Sequence, residues 1–167
     1  MPSIRPATAA DVPAIVALIN RAYRGDTARA GWTHEADYLS GPRLDVTEVD
    51  AIVADPAGVM LLAENDSGLV ACIQVRDAGG GTAYLGLLAV EPSTQARGLG
   101  RVMLAAAEDH ARTIGATRIE MTVVNRRTEL IGYYERRGYK RTGEVRPFPP
   151  ELIEAVPLTL LVLTKPV

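Results

Sequence analysis

The spacing of apolar positions changes several times along the chain, and each change marks an element. Residues 3–5 read as a short first strand. Thr8 stands as a helix N-cap, with Asp11 three residues on in capping-box position. Behind it Val12, Ile15, Val16, Ile19, Ala22 and Tyr23 fall at helical spacing. A glycine-containing break covers residues 24–31, and Thr33 caps a short helix through Tyr38. Residues 45–54 form another predicted helix, ended by Asp55-Pro56. Three apolar, strand-like runs follow at 58–64, 69–76 and 82–90. The breaks between them, NDSG and DAGGG, are turn-forming, so the three runs read as an antiparallel meander.

After Pro92 the period returns to helical. Leu99, Val102, Met103, Ala106, His110 and Ile114 are expected to share one face of a helix that Gly115 ends. A strand at 118–124 and a helix at 126–136, closed by Gly138, come next. Strands at 139–146 and 158–164, separated by a Pro-rich loop, complete the pattern. Strands that precede a strand–helix–strand–helix–strand run predict an α/β fold with a mixed sheet. No internal repeat or linker divides the chain, so residues 1–167 are expected to form a single domain.

Composition narrows the function classes. Apolar residues make up 47% and charged residues 23%, as in a globular protein with a real core. The net charge of −2 supplies no bulk field toward nucleic acid, which argues against a nucleic-acid partner. One cysteine, Cys72, excludes an internal disulfide framework and a cysteine-rich metal site, and no metal is expected. Cys72 lies in the apolar run LVACIQV and reads as a small core residue of a strand. No apolar stretch is long enough to span a bilayer, and MPSIRPATAAD lacks a signal pattern, so the expected location is cytoplasmic.

The most informative stretch is LLAVEPSTQARGLGR, where a buried strand runs into a glycine loop that opens an amphipathic helix. Gly98 and Gly100 leave no side chain between a ligand and the backbone. The first helical N–H groups lack intrahelical partners, and the helix dipole adds positive potential there. Together these features suit a phosphate, with Arg97 and Arg101 able to add charge-assisted contacts. A plain tight turn into a helix is the alternative. The Walker pattern fails because no Lys with Ser or Thr follows Gly100, and the dinucleotide fingerprint fails because Met103 stands where its third glycine belongs.

Three motifs then carry a family resemblance. Gln95-Ala96-Arg97-Gly98-Leu99-Gly100 is similar to the cofactor loop of the GNAT acetyltransferase superfamily, Gln/Arg-x-x-Gly-x-Gly/Ala. Leu88-Ala89-Val90 resembles the strand end that precedes that loop, and Tyr134-Glu135-Arg136-Arg137-Gly138-Tyr139 resembles the Tyr-x-x-x-Gly-Phe signature of the following helix. The opening IRPATAADVPAIVALINRAY fits as well, so the likeness covers essentially the whole chain. It implies a mixed, mostly antiparallel sheet of six or seven strands, splayed at the middle and flanked by about four helices. It also implies acetyl-coenzyme A as co-substrate. Its pantetheine arm would lie in the splay against the backbone of Leu88, Ala89 and Val90. Its pyrophosphate would be wrapped by the loop from Ala96 to Arg101. Asn125 stands where relatives often place a cofactor-facing Asn. It is nine residues from Tyr134 rather than the usual seven, however, and Arg127 and Glu129 are candidates for its local role.

The implied reaction is N-acetyl transfer to an amine by direct attack. A backbone N–H near Leu88 is a candidate donor to the oxyanion. The resemblance gives Tyr134 the role of proton donor to the departing thiolate, with packing as the alternative and Tyr133 as its rival. Glu120, five residues before Asn125, is a candidate general base, or else an exposed strand carboxylate. Tyr84 occupies the position of the glutamate used by histone-type relatives. His110 reads as a packed or edge residue, and nothing specific supports His34.

On the acceptor side, Trp32 and Glu35 are candidate amine contacts, with Asp26, Asp37 and Arg43 nearby; alternatively Trp32 packs a short helix onto the sheet. The loop GEVRPFPPELIEAVP, with the only Phe, Phe148, either closes the cleft or makes a homodimer contact. An acyl-CoA-binding sensor without turnover and a different acyl donor are the competing readings.

Overall fold

The structure, a computed structural model, describes residues 2–23, 44–94, 98–147 and 158–167. A seven-stranded sheet runs in the order β1-β2-β3-β4-β5-β7-β6. Its strands are β1 (Ser3–Pro6), β2 (Gly58–Asn65), β3 (Gly68–Gly79), β4 (Thr82–Val90), β5 (Arg118–Val124), β6 (Lys140–Pro147) and β7 (Thr159–Pro166). The α-helices among the described residues are α1 (Val12–Tyr23), α2 (Val46–Ala54), α3 (Leu99–Thr113) and α4 (Thr128–Glu135). The expected meander is present: β1, β2, β3 and β4 pair antiparallel in sequence order. β5 then pairs with β4 in parallel, because α3 carries the chain back across the sheet. The predicted helix at 33–38 lies outside the described residues.

Alternation along the strands sorts the core into two layers. Leu61, Ala63, Ala71, Ile73, Ala83, Leu85, Ile119 and Met121 meet Met103, Leu104 and Ala107 of α3 and Tyr134 of α4. Met60, Leu62, Cys72 and Ala89 point the other way, onto Val12, Ile15, Leu18 and Ile19 of α1 and Val49 of α2. Cys72 is thus a buried strand residue, and burial pushes its thiol up to about 12. Asp45 caps α2 by accepting from the Glu48 N–H at 2.9 Å. The Thr8–Asp11 capping box also forms, at a short 3-10 turn that leads into α1. Arg5 donates to Asp11 at 2.8 Å and to Glu64 at 2.8 Å, which holds the Asp11 carboxyl below its ordinary range.

The buried face of α3 differs from the expected one. Met103, Leu104, Ala107, Glu108 and Ala111 point inward, while Ile114 is 40% exposed. The buried stripe includes a carboxylate. Glu108 accepts from Lys165 of β7 at 2.7 Å and from the Tyr139 hydroxyl at 3.0 Å. A buried charge that is paired in this way is tolerated, and reading polarity alone moves it to the surface.

Two irregularities shape the centre of the sheet. The β4–β5 pairing covers only Thr82–Tyr84 against Arg118–Glu120, although both strands continue. Beyond Tyr84 and Glu120 the two strands part. In the same stretch β4 carries a bulge, with Cys72 opposite Ala89 but Gln74 opposite Gly86. Leu87 takes a φ of 52° there. The extra residue inverts the alternation: Ala83 and Leu85 face α3, yet Leu87 packs toward α1 and Leu88 toward α3.

Candidate active site in the splay

A cavity of about 200 Å³ lies against the end of β4, past the point where its pairing with β5 stops. Its walls come from Ala22 and Tyr23 of α1, Leu88–Val90 of β4, Gly98, Gly100 and Arg101 at the start of α3, and Arg127, Leu130, Tyr133, Tyr134 and Arg137 around α4. The cavity therefore touches helices from both sides of the sheet.

The end of β4 is held in place from α1. The Tyr23 hydroxyl donates to the Leu88 carbonyl at 2.7 Å, next to the bulge. Arg21 reaches Glu91, the residue after β4, at 2.7 Å. Helix α1 thus fixes both the strand end and the entry to the glycine loop. Gly98 precedes α3 with φ 81° and ψ 1°, a left-handed conformation that disfavours other residues. A Cβ on Gly100 would lie 3.2 Å from the Tyr133 hydroxyl, so the bare backbone there lets α4 seat against the first turn of α3.

The cavity is cationic. Arg101, Arg127 and Arg137 line it, with no carboxylate among its described lining residues. Arg127 lies with its guanidinium carbon 5.5 Å from the centre of the Tyr23 ring. Tyr134 is 6% exposed and stacks edge-on with both Tyr133 and Tyr139. Burial pushes the Tyr134 hydroxyl well above its ordinary range, although nearby Arg127 pulls it down. The phenol therefore stays protonated, as a proton donor requires.

Several residues named from the sequence meet here: Leu88, Ala89, Val90, Gly98, Gly100, Arg101 and Tyr134. Leu99 begins α3 and packs against the core rather than lining the cavity. Asn125 binds elsewhere, its carboxamide oxygen accepting from the Thr159 N–H at 3.1 Å while its own N–H donates to the Thr159 carbonyl. Glu120 sits where β4 and β5 part and accepts from Arg146 of β6 at 2.8 Å. Two residues on, Thr122 is 3.1 Å from the Tyr84 hydroxyl, so a side-chain hydrogen bond spans the vertex. Glu129 is exposed. Gln95, Ala96, Arg97, Trp32 and Glu35 lie outside the described residues, as do His34 and Phe148. Sequence reasoning overlooked Tyr23 and Arg137 as site residues. The helical stripe that ends on Tyr23 was the available signal for the first.

Known proteins share this fold. The sequence model of the acetyltransferase (GNAT) family matches residues 15–139. The mycothiol acetyltransferase of Saccharopolyspora erythraea is 28% identical over 134 residues, which is 80% of this chain and 42% of that protein. The chain thus spans less than half the length of that curated relative. The ribosomal-protein-S18-alanine N-acetyltransferase of Escherichia coli superposes with a TM-score of 0.76 at 16% identity, covering 100% of this chain and 94% of that one. An acetyltransferase-fold protein of Salmonella typhimurium, solved with its cofactor acetyl-CoA, gives a TM-score of 0.74 at 19% identity over 99% of this chain and 94% of that one. The chain belongs to the acetyltransferase (GNAT) family. At these identities the solved structures establish the fold alone. Among the described residues, no helix is long and apolar enough to cross a membrane.

Proposed function

We propose that this protein transfers the acetyl group of acetyl-CoA to a primary amine on a small molecule or a peptide. The observation that carries the reading is the cationic cavity against the end of β4, with Gly98 at one wall and Tyr134 at another. The cavity suits coenzyme A chemically. Two glycines and the first N–H groups of α3 meet Arg101 at one end, the composition of a phosphate site. The parted edge of β4 offers backbone groups at Leu88–Val90 to an amide-bearing chain, as a neighbouring strand would. When bound, acetyl-CoA supplies an activated thioester carbonyl.

The residues would divide the work as follows. A neutral amine attacks the thioester carbon, forming the C–N bond and placing negative charge on oxygen. A backbone N–H beside Leu88 stabilises that charge, and the Tyr23 hydroxyl on the Leu88 carbonyl keeps the peptide from rotating away. As the C–S bond breaks, Tyr134 gives its proton to the sulfur. The new ammonium loses a proton to water or to Glu120, and the tyrosinate is reprotonated. Glu120 receives a role only if Arg146 releases it, since the two are 2.8 Å apart.

The test is calorimetric titration with acetyl-CoA, followed by assay of coenzyme A thiol release with a panel of amines. Micromolar binding and amine-dependent thiol release support the reading. Binding without turnover on any amine favours a sensor, and no binding by the folded protein removes the cofactor assignment.

A further inference from the structure

Arg137 follows α4, and the cavity uses it although none of the loop motifs includes it. Its guanidinium lies 3.7 Å over the Tyr133 ring, and its Nη1 donates to the Tyr133 carbonyl at 2.9 Å. Those contacts hold the plane still. The Nε–H is buried and has no hydrogen-bond partner among the described residues. A buried cationic N–H left in that state is unfavourable. The stack is also seated at a defined place, because the Tyr133 hydroxyl lies 3.2 Å from where a Cβ of Gly100 would stand. Arg137 therefore faces the same cavity as Gly98, Gly100 and Arg101, from the opposite helix.

Two guanidinium groups and a helix start around one small volume call for an acceptor with several charged oxygens. A planar carboxylate can satisfy one arginine bidentately, whereas a tetrahedral phosphate can present oxygens to both walls at once. We propose that Arg137, held flat on Tyr133, is a phosphate ligand for the nucleotide end of coenzyme A and closes over it opposite the start of α3. This rests on the acetyl-CoA reading above. The phosphate is either the pyrophosphate or the 3′-phosphate, which share this chemistry.

Acetyl-CoA and its 3′-dephospho form are titrated into the wild type, Arg137→Gln and Arg137→Lys, each at low and at moderate salt. Arg137→Gln is expected to weaken acetyl-CoA binding by roughly ten- to a hundredfold, the scale of one charge-assisted hydrogen bond. It should also flatten the salt dependence, and Lys, which restores the charge but not the fork, should recover only part of the loss. If the penalty disappears with the dephospho form, the 3′-phosphate is the ligand; if it persists, the pyrophosphate is. Unchanged affinity in Arg137→Gln, or a loss with an unaltered salt dependence, overturns the proposal while leaving the acetyl-CoA reading intact. Failure of the wild type to bind acetyl-CoA overturns both.

Discussion

Gly98 separates the folding of the glycine loop from its use. Its φ of 81° costs an L-residue about 1–2 kcal/mol. Among the described residues a Cβ there would meet only Arg101 Nη2 at 3.8 Å, an ordinary contact, so strain and not collision sets the penalty. Gly98→Ala and Gly98→Glu should therefore lose a similar ~1–2 kcal/mol in urea denaturation without ligand, with the urea m-value unchanged. Gly98→Asn should lose less, since Asn tolerates the left-handed region. Acetyl-CoA binding should rank differently. A carboxylate about 5 Å from a phosphate, at an effective dielectric of about 20, adds ~3 kcal/mol of repulsion, a loss of over a hundredfold. Gly98→Glu should lose binding beyond calorimetric detection, while Ala and Asn keep most of it. The reasoning is refuted if Gly98→Glu, folded and as stable as Gly98→Ala, binds acetyl-CoA like the wild type.

Other consequences are equally direct. Tyr134→Phe should lower kcat by about a hundredfold while leaving the KM for acetyl-CoA within a small factor, as measured by thiol release. Because burial raises the Tyr134 hydroxyl, kcat should show no falling limb through pH 10, where an ordinary tyrosine begins to ionise. Stability runs the opposite way. Tyr134 and Tyr139 both have raised values in the fold, so the unfolded chain releases those protons first and the melting temperature should fall as pH climbs past about 10. Lys165→Met should cost ~2–4 kcal/mol by leaving the Glu108 carboxylate buried without its cation, whereas Lys165→Met with Glu108→Leu should recover most of it in the same denaturation assay.

Much of the fold was legible because the apolar spacing is regular. The strand at 118–124 was read with its observed ends, and β4 likewise at 82–90. Harder features were those that obey pairing rather than pattern. Glu108 faces inward only because Lys165 and Tyr139, far along the chain, wait for it. The distance between Asn125 and Tyr134 already set Asn125 apart, and it is found pinning the start of β7 to the end of β5. The cavity's cofactor side was visible through glycines and Tyr134, whose backbone needs and spacing are local. Tyr23 and Arg137 were not, because a hydroxyl on a distant carbonyl and a guanidinium stacked one turn back leave no mark in composition. The parting of β4 and β5 was implied by family likeness alone. Its local sign, the left-handed Leu87 in the β4 bulge, has no signature in an apolar run such as YLGLLAV.

The central claim is that the opening between β4 and β5 holds the acyl donor, and a crystal structure of the acetyl-CoA complex tests it most directly. The account predicts the pantetheine chain along Leu88–Val90, a phosphate at Gly98–Arg101, and the thioester sulfur within hydrogen-bond reach of the Tyr134 hydroxyl. Acetyl-CoA bound on another face of the sheet, or with its sulfur remote from Tyr134, would contradict it.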